Sequence, residues 1–257
     1  MKAITGLDRQ QLVEVVARVH AVLGPLWVRG RPPAAGLYRS VVMVVFLLRE
    51  NVTQQVVAEL FEVSQSTVSR RWDLLRPVIA LALEEVVPTP AEIAGTSTVL
   101  VDGTLIPTWD WRHRTDLFNA KRGDHGMNLQ VAAIRGEHLV AVGDPVPGAW
   151  HDTHALAECG LPGRLTGLEL CGDLGYIGTG MITGRRKPPG QDHTPAQLQA
   201  NTAIAGFRSH NEHVIGHLKN WKILSHRYRP PLEKLSETIR AIAALQLFRT
   251  HSTPTYE

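Results

Sequence analysis

The sequence predicts an all-helical N-terminal domain over residues 1–90 and an α/β domain over 91–257, on three observations. Helical periodicity runs through residues 1–88. The proline-rich stretch Val87-Pro88-Thr89-Pro90 then breaks it. Beyond that break, short β-rich runs alternate with Gly and Asp turns and with further helical segments. With 44% hydrophobic and 20% charged residues the 257-residue chain has the composition of a folded globular protein rather than a disordered one. Its pI of about 9.0 leans basic although the net charge is only +3, so a polyanionic partner would be met by local charge rather than by the total. The N-terminus has no apolar signal region. The longest apolar run, Val41 to Leu48, is about half of the ~18–20 residues a membrane span needs. Neither Cys159 nor Cys171 fits a metal or disulfide spacing. A cytoplasmic protein with no membrane partner is expected.

The elements follow in order. Asp8 and Gln11 form a capping-box pattern ahead of the periodic run Leu12 to Leu23, which predicts a helix over 9–23. A Pro/Gly-rich loop at 30–36 separates it from an apolar helix over 38–50. Thr53 is placed to cap a short helix, Gln54 to Phe61. Glu62-Val63-Ser64 makes a tight turn, and Ser64 caps a second helix, Gln65 to Leu75. In the second helix Val68, Trp72 and Leu75 face inward, and Gln65, Ser66, Thr67, Ser69, Arg70 and Arg71 face outward. Short polar donors at a helix start followed by arginines suit a helix that reads base edges with its first turn and holds phosphates with its arginines. On shape alone an ordinary helical hairpin with a solvated polar face fits equally well. The wording Ala58-Glu59-Leu60-Phe61-Glu62-Val63-Ser64-Gln65-Ser66-Thr67-Val68-Ser69-Arg70-Arg71 decides for DNA, because it resembles the helix-turn-helix of many bacterial regulators and transposases.

In the second domain, strands are predicted in the runs 97–104, 128–134, 138–143 and 168–173. The first ends in Asp102-Gly103 and the last in Asp173, followed by Leu174-Gly175-Tyr176. Two adjacent strands could hold both aspartates at one sheet edge, as a divalent-metal site requires. The third carboxylate is helical. Arg208, Glu212 and Lys219 share one helix face, and between 208 and 229 Glu212 is the single acid among five basic residues, Arg208, Lys219, Lys222, Arg227 and Arg229. Each piece has a plain structural reading. Asp-Gly after a strand makes a turn, and Arg208 with Glu212 at i, i+4 makes a surface ion pair.

Their order resembles the DDE transposases of bacterial insertion sequences, in the IS-four/IS-five-like branch related to Harbinger-type elements. Val101-Asp102-Gly103-Thr104 is similar to the family's first-aspartate strand, and the stretch from Phe118 to Val131 to the segment leading into its second strand. Asp173-x-Gly175-Tyr176 is similar to the second-aspartate motif, and Arg208-x3-Glu212-x6-Lys219 to the Arg-x3-Glu-x6-Lys signature. The resemblance covers nearly the whole chain. Ala205 departs from it, since family members often carry Tyr three residues before the Arg. The resemblance implies an RNase H-like mixed-sheet catalytic domain in which Asp102, Asp173 and Glu212 hold two Mg²⁺ or Mn²⁺ ions. It implies cleavage at element ends and joining to target DNA, with double-stranded DNA (terminal inverted repeats and target) as partner and a homo-oligomer assembled on it. Arg208 and Lys219 would hold phosphates.

Three further motifs were weighed. His210, His213 and His217 have a spacing open to zinc, but their basic surroundings favour solvated or DNA-facing histidines. His151-Asp152 resembles the family's Gly-x-x-His-Asp turn; Asp152 reads as the N-cap of a helix from Thr153 to Cys159, ended by Gly160, or as an auxiliary acid. Arg185-Arg186-Lys187, before Pro188-Pro189-Gly190, reads as a solvated turn or as a clamp on the DNA backbone. Two other functions fit the same fold. A DNA-binding regulator has no need of three carboxylates, and an RNase H-like nuclease would cut without joining.

Overall fold

The computed structural model describes residues 1–24, 35–94, 98–109, 111–136, 138–187, 190 and 192–251, without the side chains of 207–209 and 251. Most of the loop expected at 30–36, Pro188 and Pro189, and the side chain of Arg208 lie outside the described residues. The chain divides into two compact units, Met1–Val87 together with the segment from Leu218 onward, and Pro88–His217.

The first unit is helical. A short helix α1 (Lys2–Thr5) precedes α2 (Arg9–Leu23), whose capping box is formed by Asp8 and Gln11 as expected. Helix α3 (Leu37–Glu50) buries every residue from Val41 to Leu48, which is why that run is apolar on all faces. Helix α4 (Gln54–Leu60) starts at Thr53, whose hydroxyl accepts from Val56 N. Only Val57 and Ala58 of α4 are buried, while Val56 and Leu60 are exposed. Glu62, in the left-handed region at φ 52°, turns the chain into α5 (Gln65–Ala82), capped by Ser64. The expected end of α5 at Leu75 falls short. The helix continues through Pro77 because Ile79 and Ala82 pack into the core beyond it, and that burial outweighs the one backbone bond proline removes.

The described residues 218–251 belong to the helical unit, whereas the boundary expected at 90/91 gives them to the second domain. A helix α9 (Pro195–Lys219) ends in a turn carrying Trp221, Ile223 and Leu224, all buried, and α10 (Leu235–His251) returns along α5. Helix α10 is apolar around most of its circumference, from Leu235 to Phe248, and such a helix must be buried. Helix α5 supplies most of the cover. Trp221 Nε1 donates to Gln246 Oε1 at 3.3 Å, and the Arg49 guanidinium stands over the Trp221 ring. No helix among the described residues is long and apolar enough to cross a membrane.

The second unit is a mixed sheet with helices. A one-turn helix α6 (Pro90–Ile93) leads to β1 (Val99–Pro107). There follow β2 (Phe118–Asn119), β3 (Asp124–Ile134), β4 (His138–Val142), β5 (Val146–Pro147), β6 (Leu170–Gly172) and β7 (Ile182–Thr183). All four expected strand runs are present. The order is β2-β3-β1-β6-β7, with β4 and β5 also paired to β3. Strand β3 is antiparallel to β1, β2, β4 and β5, whereas β6 runs parallel to both β1 and β7. Helices α7 (Asp152–Glu158) and α8 (Leu161–Arg164) pack Ala155, Leu156 and Leu161 against Val99, Val101, Ala132 and Val140. A helical N-terminal domain followed by a mixed-sheet domain is the fold class the sequence predicts.

Arg76 of α5 is buried and donates from Nη2 to Glu237 Oε2 of α10 at 2.6 Å, the side chain of Glu237 being half exposed. Removing the acid strands a buried guanidinium, so Glu237→Ala should lower unfolding free energy by about 2–3 kcal/mol. Arg76→Met with Glu237→Gln, which removes both charges, should recover most of that loss. Urea unfolding followed by helical circular dichroism checks both.

Candidate active site

The site begins with the pairing of β1 and β6. Their parallel register sets Val99 beside Leu170 and Leu100 beside Cys171, so two residues further along both chains Asp102 comes level with Asp173. Asp173 directly follows β6, whereas Asp102 is the fourth residue of β1, which does not end at Asp102-Gly103 as expected but stays paired with β3 as far as Pro107. Each is oriented by the main chain just after it: Asp102 Oδ1 accepts from Gly103 N at 2.8 Å, and Asp173 Oδ1 from Gly175 N at 2.7 Å. The second of these bonds opens a 3-10 turn, Leu174–Tyr176, that swings Tyr176 under the sheet.

A third carboxylate enters between them. Asp152 is the first residue of α7, not its N-cap; His151 holds that place with no side-chain cap, and α7 ends at Glu158. Its carboxylate lies against both glycines. A methyl group on Gly103 would come within 2.9 Å of Asp152 Oδ1, and one on Gly175 within 3.1 Å of Asp152 Oδ2. Gly103, next to Asp102, and Gly175, two residues beyond Asp173, are therefore the gaps that let Asp152 approach. Opposite Gly103 on β3 stands Gln130, which with Asn128 forms a buried polar ladder. Tyr176 O–H donates to Gln130 Oε1 at 2.6 Å, and Gln130 Nε2 donates to Asn128 Oδ1 at 3.0 Å. The Tyr176 hydroxyl is held well above its ordinary pKa by burial first, and then by the charges of Asp152, Asp102 and Asp173. Sequence reasoning missed Asn128, Gln130 and Tyr176 as parts of this site. The available signal was two amides alternating on one face of an otherwise apolar strand, a place where polar side chains need a reason.

Glu212 lies on α9 and is exposed. Its neighbour Asn211 is buried, with Nδ2 in a long contact of 3.5 Å to the carbonyl of Val131, the residue paired with Asp102. The turn of α9 that carries Glu212 thus passes the strand residue across from Asp102. Among the described residues, no three His, Cys, Asp or Glu side chains are gathered closely enough to hold one metal ion, and this includes His210, His213 and His217. Lys219 belongs to the helical unit, where its Nζ donates to Leu224 O at 3.0 Å. Arg185, Arg186 and Lys187 form an exposed stretch on the sheet unit; Asn201 fastens it by accepting from Arg185 N and donating to Arg185 O, and Lys187 pairs with Asp192.

On α5, Gln65, Ser66 and Arg70 are exposed as expected, and Thr67 is half-buried. Ser69 turns toward Trp72 and lines a cavity with it. Arg71 is also drawn inward: burial, then the neighbouring Arg70 charge, lowers its pKa. Three positions expected to point outward, Thr67, Ser69 and Arg71, are thus half-buried, because an eighteen-residue helix packed on four others has a narrower free face than a helix stopping at Leu75.

The mixed sheet and the capped helix pair agree with what family comparison finds. A model of the DDE superfamily endonucleases matches residues 101–246, and a model of the helix-turn-helix of the same superfamily matches 39–85. The chain belongs to the DDE superfamily. It is 31% identical over 222 residues to a protein of Streptomyces albus G named as a transposase for insertion sequence element IS112, covering 86% of this chain and 83% of that one. A solved piggyBac transposase synaptic complex with hairpin DNA aligns with 97% of this chain and 74% of its own at a TM-score of 0.44 and 8% identity. This DDE-superfamily chain is a transposase by kinship, with a DNA-binding helix-turn-helix ahead of its endonuclease domain.

The tyrosine bond gives a test. Tyr176→Phe leaves Gln130 Oε1 buried without its donor, a cost of about 1–2 kcal/mol near neutral pH. In the native protein the raised pKa keeps Tyr176 protonated, so its stabilisation is complete below the unfolded-state tyrosine pKa of about 10 and is lost as pH rises beyond it. Tyr228, raised to about 12 mainly by burial, adds a loss of the same sign. Urea unfolding between pH 7 and 10.5 should therefore show an alkaline loss in the wild type that is smaller in Tyr176→Phe.

Proposed function

We propose that this chain binds the ends of an insertion element and carries out metal-dependent phosphodiester cleavage and strand transfer there. The observation that carries the reading is that the parallel register of β1 and β6 brings Asp102 level with Asp173 in a chain of the DDE superfamily. Two hard-oxygen carboxylates, each oriented by a backbone N–H, fit a divalent cation such as Mg²⁺ or Mn²⁺. Asp102 and Asp173 would hold two such ions with Glu212, which enters from α9 beside the β3 residue paired with Asp102. When bound, the ions supply activation of the attacking oxygen and stabilisation of the departing 3′-oxygen.

The chain's own groups do the rest. Asp152 and the Tyr176–Gln130–Asn128 chain keep Asp102 and Asp173 at fixed spacing and orientation, which such chemistry needs to within a fraction of an ångström. Water attacks in cleavage and a 3′-hydroxyl in joining, so no side chain forms a covalent intermediate. Arg185, Arg186, Lys187, Arg208 and Lys219 neutralise phosphates along the DNA. Gln65, Ser66 and Thr67 at the start of α5 meet base edges, with Ser69, Arg70 and Arg71 behind them on the backbone. The relative from Streptomyces albus G, whose name ties it to an insertion sequence, supports this choice of substrate. Assembly on DNA as a homo-oligomer completes the proposal.

The test uses the full chain with a duplex bearing the repeats that flank its gene. Asp102→Asn, Asp173→Asn and Glu212→Gln remove one charge each with little change of shape. Cleavage and joining in Mg²⁺ or Mn²⁺ should fall by roughly three orders of magnitude or more, while binding at matched salt stays within about threefold. Tight binding by the wild type with neither cutting nor joining would establish a regulator instead. Cutting without joining would establish a nuclease.

A further inference from the structure

The basic residues after Glu212 do not stay with the catalytic domain. Arg227 and Arg229 lie in a turn that belongs to the helical unit and is fastened to the entrance of the helix-turn-helix. Asn51, at the end of α3, is buried and in the left-handed region at φ 51°. Its side-chain amide donates to the carbonyls of His226 and Arg227. In return Arg229 Nη1 donates to Asn51 O at 3.0 Å. These bonds tie the turn two residues before Thr53, the cap of α4.

The turn also borders the reading surface. Gln65, first residue of α5, donates from Nε2 to Gln54 Oε1 at 2.6 Å. Gln54 lines a cavity of about 440 Å³ together with Ser69 and Trp72 of α5 and with Arg229. A continuous path therefore runs from the first residue of α5 through Gln54 to Arg229. His226, Arg227 and Arg229 are exposed along it. Two acids of this region pair with lysines, Glu50 with Lys222 and Asp73 with Lys234 at 2.5 Å. No acid occurs from Lys219 to Arg229.

Arg227 carries a further sign. Its φ of 40° lies where Gly, Asn or Asp is easier to place than a long side chain. Residues held in such backbone conformations cluster at functional positions.

We propose that the turn Ser225–Arg229 is a DNA-backbone clamp of the helix-turn-helix unit, with Arg227 and Arg229 on phosphates beside those met by the start of α5. Its ligand is duplex DNA of any sequence, because guanidinium groups on phosphates position the protein without reading bases. The proposal rests on the reading that α5 docks in the major groove, and extends the DNA-binding surface beyond residues 39–85 to a segment in the last part of the chain.

The experiment measures binding of the full-length protein to a labelled duplex of about thirty base pairs and arbitrary sequence, by fluorescence anisotropy from 50 to 300 mM KCl. Arg227→Asn suits the left-handed backbone and should fold with unchanged or higher thermal stability; Arg227→Gly serves as a second variant of the same charge. Each should reduce the slope of log affinity against log salt by about 0.9 and weaken binding roughly 5- to 10-fold at 100 mM. Arg227→Asn combined with Arg229→Gln should reduce the slope by about twice that. Arg70→Gln reports on the α5 reading independently. If Arg70→Gln lowers the slope while the Arg227 variants leave it at the wild-type value, the clamp is overturned and the helix-turn-helix reading stands. If the wild type shows no salt-dependent binding of the duplex, both fall.

Discussion

The parallel pairing of β1 with β6 is the constraint on which the catalytic domain depends. Only a parallel neighbour runs two apolar segments in the same direction, so that the residues following them, Asp102 and Asp173, come level. An antiparallel neighbour would have run the second segment the other way. The apolar segments Val99–Val101 and Leu170–Cys171 make this pairing; β6 ends just before Asp173, while β1 carries on past Asp102 to Pro107. Helices α7 and α8, packed against Val99 and Val101 on one face, fix the sheet from which the carboxylates project.

Around these carboxylates the domain accepts costs that make sense only for a charged centre. Asn128 and Gln130 occupy buried positions on a central strand, and Tyr176 is buried among three carboxylates. Each polar group is compensated by the next, from tyrosine hydroxyl to glutamine to asparagine, so the ladder is a bonded chain rather than a set of strained orphans. Gly103 and Gly175 complete the arrangement by their lack of a side chain. They allow Asp152 to wedge between two turns that would otherwise exclude it.

The helical unit is held by a different logic. Its core is made by α2, α3, α5 and α10, so the polypeptide that leaves it after Val87 must return at Leu218 to close it. The returning segment brings Trp221 and Leu224 for packing, Glu237 and Lys234 for Arg76 and Asp73, and a turn fastened by Asn51. A DNA-reading element assembled in this way is stabilised by the end of the chain as well as by its own hydrophobic face.

Local physics made much of this legible in the sequence. Capping residues Asp8, Thr53 and Ser64, the tight turn before α5 and the four principal strand runs are set by contacts within a few residues, and they stand where the pattern places them. The position of Asp173 just after β6 was readable for the same reason, whereas the expected strand end at Asp102-Gly103 fails, because pairing with the long β3 carries β1 on to Pro107. What local pattern cannot carry is the identity of the packing partner. The continuation of α5 through Pro77, the inward turn of Ser69 and Arg71 and the return of α10 to α5 all depend on surfaces distant in sequence. Asp152 was readable as the start of a helix, but its approach to Gly103 and Gly175 follows from how α7 lies on the sheet. The sequence by itself determined the principal elements, the caps Asp8, Thr53 and Ser64 and the Asp173 that follows β6, because those are local. Only the tertiary structure decided which elements share a core and which third carboxylate meets the first two, because burial is settled between surfaces that the chain brings together from far apart.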